Sequence, residues 1–136
     1  MVDFILWNDA YSVGIPDIDA QHMRIVTILN ELFEARQKNG LHSLELKKKL
    51  LLVKIYTETH FQYEETLMRY AHFPDYTEHC KYHLEMKNKT EKIIKEVYVN
   101  NYEHPEDFFQ FLKTWWVSHI QGKDRHYTPY MRKLGL

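Results

Sequence analysis

Hydrophobic positions recur in alternating steps of four and three along most of the chain. The first series is Ile18, His22, Ile25, Leu29 and Leu32, and the second Leu50, Val53, Thr57, His60, Glu64 and Leu67. A third runs Tyr76, His79, His83, Met86, Thr90, Ile93 and Val97, and a fourth Phe108, Leu112, Trp115 and His119. Steps of this size stack side chains on one helix face, so each series predicts the inward stripe of a helix. Glycine and proline disrupt helix interiors, and here they occur only at 14, 16, 40, 74, 105, 122, 129 and 135. The uninterrupted stretches 17–39, 41–73, 75–104 and 106–121 therefore predict one helix each. Short connections around Asn39-Gly40, Phe73-Pro74 and His104-Pro105 favour antiparallel neighbours. The expected fold is all-α: an antiparallel up-down-up-down four-helix bundle in a single domain over 1–136. Residues 1–17 form an N-terminal arm without helical periodicity, which Trp7 and Tyr11 pack along the bundle. Residues 18–134 make the bundle and a C-terminal segment.

The stripes contain groups that a hydrophobic core does not tolerate alone. His60, Glu64, His79, His83 and His119 all occupy stripe positions, and burying them unpaired is costly. In the predicted topology the start of the first helix, the end of the second, the start of the third and the end of the fourth share one end of the molecule. His22, Glu64, His79 and His119 then fall in a layer roughly 10–15 Å deep at ~1.5 Å per residue. His60/Glu64 and His79/His83 are pairs four apart, so the members of each share a helix face. Asp124 lies five residues after His119, about 140° away on a continuous helix. Gly122 can end the helix between them and turn Asp124 inward.

Five imidazoles and two carboxylates in one layer point to a metal centre. They are too many for one tetrahedral zinc, which takes four ligands, and magnesium and calcium prefer oxygen. Two iron or manganese ions bridged by Glu64 and Asp124 use every group, and iron suits imidazole-rich sites better. Ferritin-like di-iron oxidases use Glu-x-x-His pairs, and none stands at a stripe position here. Neutral imidazoles stabilise Fe(II), so the ligand mixture favours reversible exchange with O₂ over a high-valent oxidant. Glu65 is rotated about 100° from Glu64 and reads as solvated. His42, His72, His104 and His126 fall at predicted loops or ends and read as surface residues. Cys80 reads as a small packing residue.

Composition removes several other classes. With 136 residues, 44% hydrophobic and 15% aromatic, the chain is long enough for a packed core. A net charge of −1 gives no footprint for nucleic acid or an anionic membrane. One cysteine excludes an intramolecular disulfide and fits a reducing compartment. Phe4-Ile5-Leu6-Trp7 is too short for a signal-peptide core, and no stretch approaches a membrane span. A cytoplasmic monomer is expected.

Trp7, Ser12-Val13-Gly14 and Ile18-Asp19-Ala20-Gln21-His22 together form a recognisable pattern. It continues with His60-Phe61, Glu64-Glu65, His79, His83, His119-Ile120, Asp124 and Tyr127. The chain resembles the hemerythrin family, in particular single-domain bacterial hemerythrins, over essentially its whole length. The resemblance implies that His79, His83 and His119 bind one iron and that His22 and His60 bind the other. It also implies that Glu64, Asp124 and an oxo or hydroxo group bridge the two non-haem irons. O₂ would bind reversibly at the iron carrying two histidines, for oxygen storage, transport or delivery, with an oxygen-consuming enzyme as a conceivable partner. This is a binding function and not an enzyme's. The alternatives are a di-iron oxidase or peroxidase, or an oxygen or redox sensor. Trp116 and Ile120 are candidates for lining the O₂ pocket. The family often has leucine where this chain has Trp116, which either narrows that pocket or turns outward beside Trp115.

Overall fold

The computed structural model describes residues 4–40, 43–99 and 105–136. Four long helices, α1 (Pro16–Asn39), α2 (Leu44–Tyr70), α3 (Tyr76–Tyr98) and α4 (Pro105–Ser118), account for most of the described chain. A π-helical turn (His119–Lys123) and a 3-10 turn (Asp124–Tyr127) then lead into a short helix, α5 (Thr128–Arg132). No strand occurs among the described residues. Helix α1 packs on α2 and α2 on α3, with short reversals between them, giving the antiparallel bundle that the periodicity predicts.

Local chemistry sets the helix ends. Pro16 opens α1 where a missing N–H costs nothing, and Asp17 and Asp19 in the first turn suit the helix dipole. Asp19 also accepts hydrogen bonds from the Ser12 hydroxyl and, at 2.8 Å, from the Val13 N–H, which fixes how the arm enters the helix. Gly40, at φ +80°, closes α1 in a conformation that side chains disfavour. Ser43 caps α2 by accepting from the Leu46 N–H at 3.1 Å. The reversal into α3 passes through His72 at φ +55° and buries Phe73.

The arm is tied down as expected, with Trp7 and Tyr11 packed edge to face at 5.6 Å against the core. Asn30 clamps its backbone, accepting from the Ile5 N–H at 2.7 Å and donating to the Ile5 carbonyl at 2.8 Å. One short 3-10 turn, Asp9–Tyr11, interrupts it.

Three expectations change. Helix α3 ends at Tyr98, short of the predicted 104. The fourth stripe passes through Trp116, which is 1% exposed, and Trp115 is only half-buried. Met68, and not Leu67, fills the buried position at the end of the second stripe. His72 and His126 are exposed, as read from the sequence. His42 and His104 lie outside the described residues. No helix among the described residues is long and apolar enough to cross a membrane.

Candidate metal centre

All seven predicted groups meet at one end of the bundle. His22 comes from the start of α1, His60 and Glu64 from the end of α2, His79 and His83 from the start of α3, and His119 and Asp124 from the turns after α4. Each is buried, with no more than 3% exposure. Their ligating atoms form two overlapping groups in which all atoms lie within 4.8 Å of one another. One group is Glu64, His79, His83, His119 and Asp124; the other is His22, His60, Glu64 and Asp124. Glu64 and Asp124 belong to both.

The ring nitrogens converge on these two carboxylates. His79 Nε2 and His119 Nε2 stand 3.0 and 2.9 Å from Asp124 Oδ1, and His22 Nε2 stands 3.0 Å from Asp124 Oδ2. His60 Nε2 is 3.0 Å from Glu64 Oε1, and His83 Nε2 is 3.4 Å from the same oxygen. Proximity does not become hydrogen bonding. The Nε2 atoms of His22, His60 and His79, Glu64 Oε1 and both Asp124 oxygens are buried without a hydrogen-bond partner. Buried polar atoms normally have partners. A layer of inward-facing ligating atoms, six of them without a hydrogen-bond partner, fits cations lying among them, and the cluster is able to hold metal.

Asp124 reaches the layer by a route different from the one predicted. Gly122 does not stop the helix. The Asp124 N–H instead bonds to the His119 carbonyl, closing an i→i+5 turn. That wider turn brings the fifth residue back over the first, so Asp124 and His119 share a face. Gly122 has an ordinary φ and open space where a Cβ would stand, so glycine is not required there.

Charge in the metal-free cluster is balanced internally. Burial opposes ionisation of Glu64, but His60, His22 and His83 outweigh it and hold the carboxyl well below the ordinary value. Burial and Glu64 likewise oppose ionisation of Asp124, and His119 and His22 overcome them. Burial alone would lower the His22 pKa, yet Asp124 and Glu64 raise it to about 10. His83 is raised to about 9 against burial by Glu64 and Glu65. For His119 burial wins over Asp124 and the pKa falls. Two carboxylates thus face two protonated imidazoles.

An outer ring of groups orients the cluster. Glu65, read as solvated, is only 30% exposed and accepts from His83 Nδ1 at 3.2 Å. The sequence hid this because Glu65 lies on a different helix from its partner, at a spacing no helical period predicts. Cys80 is half-buried beside Glu65 and Tyr76; burial and then Glu65 push its thiol up to about 11, so it stays protonated and braces Glu65. Gln21 Oε1 accepts from His60 Nδ1 at 2.6 Å, a role that its place in the Ile18–His22 pattern does not reveal. The Tyr127 hydroxyl donates to Glu64 Oε2, and burial with the charge of Glu64 raises its pKa well above the usual value. With Nδ1 donating to these outer acceptors, the neutral rings of His60 and His83 would turn the Nε2 lone pair inward, the tautomer a metal needs. Glu65→Gln keeps an acceptor but removes a charge. It is expected to weaken metal binding by about tenfold, the low end for such partners, measured by chelator competition; an unchanged affinity would make Glu65 a surface carboxylate after all.

The hemerythrin HHE cation binding domain is the family description that matches, over residues 13–131. The chain belongs to the hemerythrin family. It is 31% identical to a bacteriohemerythrin of Stenotrophomonas maltophilia, over 94% of this chain and 82% of that one. A bacteriohemerythrin of Clostridium acetobutylicum is 29% identical over 90% of this chain and 97% of its own. A crystal structure of wild-type hemerythrin superposes with a TM-score of 0.86 at 25% identity, covering 93% of this chain and 97% of that chain. A leucine-to-alanine hemerythrin variant superposes with a TM-score of 0.88 at 24% identity. The hemerythrin fold is therefore shared over more than nine-tenths of the chain.

Proposed function

We propose that this chain binds O₂ reversibly at a non-haem two-iron centre, for oxygen storage, transport or delivery. The observation that carries the reading is the pair of overlapping buried donor groups joined by Glu64 and Asp124. Membership of the family, which binds O₂, supports the ligand. His79, His83 and His119 would hold one iron and His22 and His60 the other, with Glu64 and Asp124 bridging. Iron held by these residues would supply reversible two-electron exchange with O₂. The position with two histidines has one protein ligand fewer, and that difference leaves room for a small molecule. Tyr127 steadies the Glu64 bridge, Gln21 keeps His60 oriented, and the buried aromatic layer excludes water. The structure turns Trp116 inward: it stacks on Phe61 at 5.6 Å and 21°, and its ring centre is 6.2 Å from that of His60. Ile120, 2% exposed, lies in the same buried shell.

The test is anaerobic reduction followed by metal analysis and optical spectra. Two irons per chain, and a visible charge-transfer band that appears in air and vanishes on deoxygenation through repeated cycles, are expected. Steady O₂ consumption with an added electron donor, and no stable coloured form, would make the protein an oxidase.

Trp116 offers a second measurement. Replacing it with leucine widens access to the two-histidine position. Trp116→Leu is expected to speed both azide binding and autoxidation by about fivefold, or ~1 kcal/mol of barrier. If neither rate changes by more than roughly twofold, ~0.4 kcal/mol, the indole only packs the core.

A further inference from the structure

Three surface depressions reach rings of the metal cluster. One of about 480 Å³ lies between α3 and α4 and ends on His119, and one of about 270 Å³ ends on His79. Both touch the group with three histidines, and both carry charge. Glu85 and Lys123 line the first, and Asp75, Glu78 and Lys123 line the second. The third, of about 290 Å³, lies between α1 and α2 and ends on His60, in the group with two histidines. Its other walls come from Ala20, Gln21, Arg24, Ile25, Tyr56 and Thr59.

The polar ends of these wall residues are engaged elsewhere. Thr59 donates its hydroxyl to the Ile55 carbonyl of its own helix at 2.8 Å. Gln21 Oε1 accepts from His60 Nδ1 at 2.6 Å, and the Arg24 guanidinium lies over the Tyr56 ring, 5.4 Å from its centre. The groove therefore presents carbon almost throughout. Apolar recesses of this kind hold water poorly and take up small apolar guests such as xenon. The floor of the groove is thin. Ile25, 3% exposed, stands one turn along α1 from His22, and the His22 and His60 rings are 4.6 Å apart. On the α4 side, Trp116 fills the space beside His60, its ring centre 6.2 Å away.

We propose that the groove between α1 and α2 is the route by which O₂ enters and leaves the two-histidine position. The identity of the gas rests on the proposed function; that the groove admits a small apolar gas rests on the groove alone. O₂ is neutral and apolar, so the charged walls of the other two depressions offer it nothing, whereas carbon-lined space takes it up from water. Those two depressions also end on the three-histidine side. Ile25 closes the inner end of the groove, so its size sets the width of the last step.

The gas itself is the probe. O₂ is paramagnetic and speeds relaxation of the methyl protons it meets, which NMR under O₂ pressure reads on the full-length protein without metal, its fold checked by circular dichroism. Ile28 is the internal reference, because it is as buried as Ile25, lies on the same helix and does not line the groove. The Ile25 methyls should be relaxed at least about threefold more than those of Ile28, as expected of a recess that holds the gas. In iron-loaded protein, Thr59→Trp and Ala20→Phe narrow the groove at exposed positions that are not ligands. Each should slow O₂ uptake and O₂ release at least about fivefold and keep their ratio within about twofold, because one barrier is crossed in both directions. Ile25→Val should speed both. Thr114→Trp, which places the same bulk in the groove between α3 and α4, should change neither. Equal relaxation of Ile25 and Ile28, or O₂ rates that respond to Thr114→Trp and not to Thr59→Trp, overturns the route. Failure of the two-iron reading would show separately, as missing iron in the metal analysis with O₂ contact at Ile25 intact.

Discussion

Asp124→Ala is expected to empty both metal positions at once. The carboxylate belongs to both donor groups, its two oxygens lying 2.9–3.0 Å from His22, His79 and His119. Its loss removes a ligand from each position, an effect well beyond the ~10–100-fold that an outer hydrogen-bond partner supplies. On the proposed two-iron reading, iron measured after desalting should fall from two per chain to near zero. His22→Ala is the contrast, because His22 belongs to one group only; that variant should retain close to one iron. Asp124→Ala also leaves protonated His22 without its nearest countercharge in a fully buried site. Uncompensating a buried pair typically costs ~3–5 kcal/mol, so the metal-free variant should melt well below metal-free wild type. Asp124→Asn keeps the volume and one oxygen, and separates lost ligation from a lost fold. Two irons retained in Asp124→Ala would remove it from the bridge.

The second large effect is in pH. With His22 raised to about 10 and His83 to about 9, both rings carry protons at neutral pH in the metal-free cluster. A metal requires both as neutral ligands, so loading must expel two protons. Affinity should therefore climb about 100-fold per pH unit from 6.5 toward 9 and flatten above 10. Chelator-buffered titrations across that range check the slope; a slope below one proton per pH unit would contradict the charge pattern. Metal-free stability has its own pH dependence. The contributions of His22 and His83 are fully present below their unfolded value of 6.5 and are lost as pH rises through 9 to 10. Those of Glu64 and Asp124 are present above their unfolded values of 4.5 and 3.8 and are lost as pH falls through their depressed folded values. His119, shifted down, costs stability as pH falls below 6.5. The metal-free protein should be most stable near pH 6, just below the unfolded histidine value, and metal should move that optimum upward.

The bundle was legible because glycine and proline confine the breaks and the stripes keep step with 3.6 residues per turn. Six of the seven groups that meet were legible for the same reason: a charged or imidazole side chain in an otherwise apolar stripe has to be explained, whereas Asp124 lies off every stripe. Reading failed where geometry departs from the straight α-helix. Gly122 reads as a stop, yet the chain continues through a wider turn whose register only the backbone bond from Asp124 to His119 reveals. Glu65 and Gln21 sit one residue away from a donor, so helical spacing turns them aside; their partners come from another helix. Trp115 and Trp116 are adjacent, and no period decides which of two neighbouring indoles goes inward; packing against Phe61 and His60 decides it.

The donors also differ greatly in their separation along the chain. His22 and Asp124 are roughly a hundred residues apart, and a cross-link across that span restricts the unfolded chain by ~4–5 kcal/mol on the loop-entropy account. With Cys80 as the one cysteine in this sequence, no disulfide joins these two segments. A filled centre would join the first helix to the last segment as a covalent staple does, and chelation would open that staple without breaking a bond.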